Sequence, residues 1–125
     1  MNKVTLVLRV LLGLVFVGSG IAFFFTVPPP LEGAMGDFFK GLAATSYFFY
    51  LLKGVEITCG LLLIIGKFVP LALVILAPVI LNIFLVHLFL APQGIPVAVA
   101  VGAVEIYLAF FSAEYSPKIK ALFHA

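Results

Sequence analysis

Four ionisable side chains interrupt long apolar stretches of this sequence, and any chemistry of the protein would be built from them. They are Arg9, Lys53, Glu56 and Glu105. A buried carboxylate can bind a hydrogen-bond donor, exchange a proton or pair with a basic side chain. Charge within a membrane costs about 2.5–3.5 kcal/mol per residue on insertion scales. Because two of these side chains are basic and two are acidic, their formal charges cancel, which predicts that they pair.

The spacing of these residues places three of them at similar depth. Arg9, Glu105 and Glu56 lie about six, eight and ten residues from one end of their predicted helices, a spread of about 6 Å along the axis. We therefore expect Arg9 to lie within salt-bridge distance of Glu56 or Glu105. Lys53 precedes Glu56 by three residues and shares its helical face. The group could be a structural clasp or a ligand, proton or quinone site, and the long basic side chains could also reach the membrane surface.

Two stripes at the spacing of helical turns carry both charge and glycine. They are Arg9, Gly13, Phe16 and Gly20 in the first apolar run, and Lys53, Glu56 and Gly60 in the second. Glycine lets two helices approach closely. Both stripes are therefore predicted to face the interior of a helix bundle.

Two further polar residues occupy the third apolar run. Asn82 lies one turn beyond Pro78, where its amide could satisfy a backbone carbonyl freed by the proline or bond another helix. His87 is expected to be a hydrogen-bonded packing residue, because no second His, Cys or Asp stands at metal-ligand spacing. A haem pair with His124 is rejected because that residue lies in the tail, on the other side of the membrane. We expect no metal site and identify no catalytic residue or motif.

Composition places these residues in a membrane protein. Of the 125 residues, 65% are hydrophobic and only 10% are charged, whereas a soluble domain is roughly 25% charged. So short a chain could not bury this much apolar surface in water. A net charge of +2 without a basic run argues against nucleic-acid binding. A single cysteine, Cys59, excludes an internal disulfide or a CxxC redox pair.

Four apolar runs are long enough to cross a membrane as helices, which takes about 20 residues. They span about 4–25, 45–66, 68–91 and 95–113. None shows the alternation of barrel strands, and no A-x-A site follows the first, so we expect a span there and not a cleaved signal peptide. The sequence predicts an all-α, four-helix transmembrane bundle with antiparallel neighbours in a single domain, 1–125.

The connections between the runs differ in kind. The first opens with three consecutive prolines, 28–30, and then places five apolar residues on one helical face, which predicts a short interfacial helix. Those five are Leu31, Met35, Phe38, Phe39 and Leu42. The second and third connections, at 66–67 and 92–94, are so short that neighbouring helices must be antiparallel.

The distribution of lysines predicts the orientation of the chain. Lys3, Lys67, Lys118 and Lys120 all fall on one side of a four-span topology. The positive-inside rule then places both termini in the cytoplasm, in a multi-pass protein of a bacterial-type inner membrane. Tyr47 and Tyr115 are expected in the interfacial aromatic belt.

Three segments together resemble DoxX-like membrane proteins. They are residues 9–20 (RVLLG followed by GSG), residues 53–66 (KGVEITCGLLLIIG) and residues 76–92 (LAPVILNIFLVHLFLAP). The resemblance implies a four-helix membrane bundle. Some relatives are associated with thiosulfate:quinone oxidoreduction, and distant eukaryotic relatives assist the assembly of membrane receptors. The polar positions that the resemblance marks are Arg9, Glu56, Asn82 and His87, whereas Glu105 has no counterpart in the family pattern.

Three functions are compatible with this sequence. The first is a binding or accessory protein whose polar pocket holds a lipid, a quinone or a partner membrane protein, in a chain that could also form oligomers. The second is a quinone-linked oxidoreductase subunit, in which a bound quinone or a partner would have to supply the redox centre. The third is a small proton-coupled transporter using Glu56 or Glu105, which the lack of an evident internal repeat disfavours. The first needs only what the residues provide, so an enzyme acting alone is not expected.

Overall fold

A computed structural model of the protein describes residues 2–25, 32–90 and 92–123, and every regular element within those residues is helical. The helices are α1 (Lys3–Phe25), α2 (Gly33–Ala44), α3 (Phe48–Ile65), α4 (Val69–Phe89), α5 (Ile95–Ile106) and α6 (Ser116–Lys120). A 3-10 turn, Pro92–Gly94, precedes α5, and a π-helical turn, Tyr107–Phe111, follows it. The three prolines at 28–30, Leu31 of the predicted interfacial helix, and His124 lie outside the described residues.

Within the described residues, four helical segments are long and apolar enough to cross a membrane: α1, α3, α4 and the continuous stretch Pro92–Phe111. This confirms the predicted all-α class and the number of spans. The first connection contains a helix, α2, whose Phe39 ring stacks on Phe49 of α3 with centroids 5.8 Å apart. Asp37 and Lys40 on the opposite face are exposed, as an amphipathic helix requires.

The tightest contact between spans joins α1 to α3, at two glycines. A β-carbon built on Gly13 would lie 2.6 Å from the carbonyl oxygen of Gly60, and one built on Gly60 would lie 2.8 Å from that of Gly13. Two turns further along α1, Gly20 contacts Ile57, which lies one turn before Gly60 in α3. Because later residues of α1 contact earlier residues of α3, the two helices are antiparallel. Both charged glycine stripes face the bundle interior, as their spacing predicts.

The most deeply buried side chains belong to α3, α4 and the π-helical turn. Leu63, Leu73, Leu76 and Leu108 have no exposed surface. They lie toward the end of the bundle that carries the start of α1, the α3–α4 turn and α6, which we call the terminal end. The opposite end, which carries α2 and the Pro92–Gly94 turn, is called the loop end.

The C-terminus of α3 ends at Gly66, whose φ of +87° lies in the left-handed region. Its N–H donates to the carbonyl oxygen of Leu62 at 2.8 Å. A β-carbon here would lie 2.8 Å from Nη1 of Arg9. Gly66 therefore caps α3 and also leaves the space beside it that the Arg9 guanidinium occupies.

Gly66→Ala should lower the free energy of unfolding by about 1–2 kcal/mol, the usual cost of a β-carbon in the left-handed region, plus the cost of displacing Arg9. Thermal unfolding in detergent, followed by circular dichroism, measures the change. Gly33→Ala is the matched control, because Gly33 has a φ of +67° and no atom of the described residues lies within 4 Å of the added carbon. Equal losses in the two variants would contradict the contact between Gly66 and Arg9.

Candidate functional site

An ion pair lies in the middle of α3. Nζ of Lys53 is 3.1 Å from Oε2 of Glu56, as the spacing of three residues allows. Glu56 is buried, whereas the Lys53 side chain keeps 18% of its surface exposed and lies 5.8 Å from the centroid of the Phe23 ring. The Lys53 ammonium is thus held by a carboxylate and an aromatic face.

Glu56 and Asn82 line a cavity of about 370 Å³ enclosed by α2, α3 and α4, which we call the Glu56 cavity. Its other walls are apolar and include Phe38, Leu42 and Leu52. Oε2 of Glu56 makes no hydrogen bond to any residue that the structure describes. The Lys53 ammonium therefore approaches it as an ion pair without hydrogen-bond alignment. Within the described residues the Asn82 amide also makes no hydrogen bond. Two polar groups therefore face one cavity with hydrogen-bonding capacity unused.

The expectation that Asn82 bonds a carbonyl freed by Pro78, or another helix, is not met in the described chain. Both residues line the Glu56 cavity. Being four residues apart, they share one face of α4. The Asn82 amide therefore points toward the same space as Glu56.

Arg9 lies at the terminal end, away from both glutamates. Its Nη1 donates to the hydroxyl of Tyr115 at 3.1 Å, and its Nη2 donates to the carbonyl oxygen of Ile64 at 3.4 Å. In the part of the chain that the structure describes, the side-chain ion pair is Lys53–Glu56. The prediction that Arg9 pairs with Glu56 or Glu105 is therefore wrong.

The direction of the Arg9 side chain explains this error. Side chains in a helix tilt toward its N-terminus, which for α1 is the terminal end of the bundle. There the last carbonyl groups of α3 lack helical partners. One of them, the carbonyl oxygen of Ile64, accepts a hydrogen bond from the guanidinium. The Cα atoms of Arg9 and the glutamates lie at similar depth in the membrane. Their side chains nevertheless do not meet, because the long Arg9 side chain extends toward the terminal end, away from the depth of its Cα.

Glu105 lines a different cavity. It is buried on α5, and the α4 residues that line its cavity are Ala77, Ile80, Leu81 and Phe84, whereas the α4 residues that line the Glu56 cavity are Pro78, Val79, Asn82 and Ile83. At about 100° per residue, these two sets lie on opposite faces of α4. The predicted polar cluster is thus divided, with Lys53, Glu56 and Asn82 on one side and Glu105 on the other.

His87 lies toward the loop end and packs there. Its Nδ1 is 2.7 Å from the carbonyl oxygen of Ile83, and its ring lies against Gly94, where any β-carbon would collide with it. This is the hydrogen-bonded packing arrangement expected from the sequence. Among the residues described, no group of three or more His, Cys, Asp or Glu side chains is placed to hold a metal ion.

Sequence reasoning missed the polar contacts at the terminal end. Tyr115, expected in the interfacial belt, is buried and accepts from Arg9. The Thr5 and Tyr107 hydroxyls lie 2.9 Å apart. Thr5 precedes Arg9 by four residues on one helical face, a signal that could have indicated its inward position.

The similarity of this chain to known proteins covers all of the predicted polar residues except Glu105. A family model described as DoxX matches residues 4–88, which is more than half of the chain. The matched region includes Arg9, Lys53, Glu56, Asn82 and His87, and it ends before Glu105. A search of curated proteins found no match. A search of solved structures also found none.

Proposed function

We propose that this chain, which belongs to the DoxX family, is a multi-pass membrane protein that binds a neutral, lipid-soluble ligand in the Glu56 cavity. The observation that carries the proposal is a pair of polar groups at one largely apolar cavity. Oε2 of Glu56 is buried and makes no hydrogen bond to a described residue, and the amide of Asn82, an exposed residue, lies beside the same space. An unsatisfied buried polar group costs about 1–3 kcal/mol. A ligand that donates a hydrogen bond to Glu56 would recover much of that cost, and the exposed Asn82 amide would offer it a second hydrogen bond.

The charges around the cavity favour a neutral ligand. Lys53 lies 3.1 Å from the Glu56 carboxylate and offsets its charge, so a ligand need not supply a cation. The carboxylate accepts hydrogen bonds, and the Asn82 amide both donates and accepts. The ligand should therefore carry a hydroxyl or N–H beside a carbonyl or a second hydroxyl.

The shape of the cavity favours an amphipathic molecule. Its volume of about 370 Å³ lies in the usual range for small-molecule sites, roughly 300–1,000 Å³. A polar ring could occupy it while an apolar tail leaves between the helices into lipid. A quinol, the reduced form of a quinone, has this form and carries the required hydroxyls, as does a lipid with a hydroxyl-bearing headgroup. Binding alone is proposed, without electron transfer.

The lysines support an orientation for this site. Lys67 follows the α3 cap, and Lys118 lies in α6 at the same terminal end. Under the positive-inside rule this end faces the cytoplasm. The Glu56 cavity, beside α2, would then lie toward the outer half of the membrane.

Binding of a short-chain ubiquinol analogue, kept reduced during the measurement, to the purified protein tests the proposal, because its hydroxyls can donate to Glu56 and bond to Asn82. Glu56→Gln should weaken binding about tenfold or more, since it removes an interaction worth about 1.4 kcal/mol. Asn82→Leu should do the same. Isothermal titration calorimetry in detergent gives the affinities, and mass spectrometry of organic extracts identifies any lipid or quinone that copurifies.

Glu114→Gln is the matched control, because Glu114 is exposed and outside the cavity, and it should bind like the wild type. Asn82→Leu keeps the test valid if Glu56→Gln folds poorly, because the Asn82 side chain makes no hydrogen bond to a described residue. The proposal fails if both cavity variants bind the analogue and retain copurifying lipids as the wild type does.

A further inference from the structure

A second cavity, larger than the first, lies between α4 and α5 and contains Glu105. We propose that it is a separate binding site, open to the lipid phase, for an apolar chain ending in an amine. This site does not depend on the proposed function, because it lies on the opposite face of α4. Glu105 also lies beyond residues 4–88, which match the DoxX family model.

Small residues create the space between these two helices. The cavity has a volume of about 470 Å³, and its walls include Ala77 of α4 with Ala98 and Gly102 of α5. A β-carbon on Gly102 would find its nearest neighbour, Ile80, 4.0 Å away. Nothing therefore fills the space that larger side chains would occupy in a close-packed helix pair.

The mouth of the cavity is formed by apolar residues on the outer surface of the bundle. Leu81, Val99 and Ile106 line it and are themselves exposed. In a membrane this surface meets the acyl chains. A ligand would therefore enter sideways from the lipid and not from water, which restricts ligands to molecules that partition into the bilayer.

Glu105 supplies the polar group of this cavity. Glu105 is only 6% exposed, and among the described residues its Oε1 finds no hydrogen-bond partner. The structure assigns it no salt bridge to any described basic residue. Unlike Glu56, it has no lysine beside it, so a ligand must supply both the hydrogen-bond donor and the positive charge.

An amine meets both requirements. An ammonium ion can donate up to three hydrogen bonds and balance the carboxylate charge. A neutral amine meeting a protonated carboxyl group gives the same ion pair, because one proton moves from oxygen to nitrogen. An alcohol of equal chain length could donate a hydrogen bond but could not neutralise the charge, so it should bind more weakly.

The π-helical turn places Glu105 beside a second space. In this turn the N–H of Ser112 donates to the carbonyl oxygen of Tyr107 at 2.8 Å, and Leu108 and Ala109 are both buried. π-helical turns often occur at functional sites. A neighbouring cavity of about 270 Å³, lined by residues of α4 and the C-terminal segment, shares Glu105 with the first. The carboxyl group thus sits where two apolar spaces meet, and the amine end would lie at this junction.

The test compares dodecylamine with dodecanol by native mass spectrometry of the full chain in a neutral detergent. The wild type should bind one dodecylamine about tenfold more tightly than dodecanol, a difference of about 1.4 kcal/mol. Glu105→Gln should remove this preference, and Gly102→Leu should block both ligands by filling the space. Glu114→Gln, which changes an exposed glutamate, should match the wild type.

Two further measurements make the result decisive. Glu56→Gln should leave dodecylamine binding unchanged, so loss of binding in this variant would place the amine in the Glu56 cavity and overturn the inference. Without ligand, Glu105→Gln should raise the unfolding temperature, because it removes a buried acid that lacks a partner. If Gly102→Leu does not fold, Ala103→Leu fills the same cavity. Equal amine binding by the wild type and Glu105→Gln would refute the site.

Discussion

Gly13→Ala should separate α1 from α3 and lower the free energy of unfolding by about 1–3 kcal/mol, the usual cost of overpacking. The added carbon would lie 2.6 Å from the carbonyl oxygen of Gly60 and 2.8 Å from Cγ1 of Ile64. A side chain could rotate away, but a backbone carbonyl can move only with its helix. The α1–α3 contact is the closest backbone approach between spans, so we expect this variant to be among the least stable single substitutions.

Reversible unfolding in mixed micelles, followed by circular dichroism, measures this loss. Gly18→Ala is the control on the same helix, because a β-carbon there has no neighbour within 4 Å in the part of the chain that the structure describes. That variant should be neutral or slightly stabilising, since alanine favours helix over glycine by about 1 kcal/mol. Similar stabilities of the two variants would show that the helices do not touch at Gly13.

Gly60→Ala extends the test to the other side of the contact. Its added carbon would lie 2.8 Å from both the Gly13 carbonyl oxygen and Cγ2 of Val17. Once either substitution has parted the helices, the other should cost little more. The double variant should therefore lose less stability than the sum of the single losses, as expected for residues that share one contact.

The fold followed from the sequence because its signals are periodic and local. Apolar runs of membrane-spanning length gave the helices, and the stripe containing Arg9, Gly13 and Gly20 identified the buried face of α1. The Lys53–Glu56 pair likewise needed only a spacing of three residues on one helix. Each of these features depends on a single helix or on its immediate neighbour in the chain.

The arrangement of the polar residues depended on features that spacing does not encode. The rotation of α4 decides that Asn82 faces Glu56 while Ala77 faces Glu105. The Glu105 cavity exists because alanine and glycine leave volume between two helices, and the same residues would have been compatible with tight packing. The π-helical turn, which affects which residues of the last span face inward, had no recognisable signal in the sequence.

Arg9 links three segments of the chain at the terminal end by hydrogen bonds, so its substitution should have the second large effect on the free energy of unfolding. Its guanidinium joins α1 to Ile64 at the end of α3 and to Tyr115 beyond the last span. Hydrogen bonds from charged groups contribute about 1.5–3 kcal/mol each. Arg9→Ala should therefore lower the free energy of unfolding by about 2 kcal/mol or more and release the segment that contains α6.

The release should be visible as faster proteolysis near Tyr115 in the folded protein. Tyr115→Phe removes one acceptor of the guanidinium and should cause a smaller loss, about 1 kcal/mol. Arg9→Lys keeps the charge but lacks the planar fork that reaches two acceptors at once, so it should lie between alanine and the wild type. Faster cleavage in Arg9→Ala than in Tyr115→Phe is the expected order, and the reverse order would contradict the assignment.

The same Arg9 variants separate a structural clasp from a ligand site. Arg9 lies at the terminal end, whereas the Glu56 cavity lies beside α2, so a folded Arg9→Lys protein should bind the ubiquinol analogue within about twofold of the wild type, a difference of about 0.4 kcal/mol. Glu56→Gln should instead weaken binding of the analogue about tenfold or more. If Arg9→Lys instead weakened binding as much as Glu56→Gln does, the two ends of the bundle would be coupled, and the assignment of Arg9 to structure alone would be wrong.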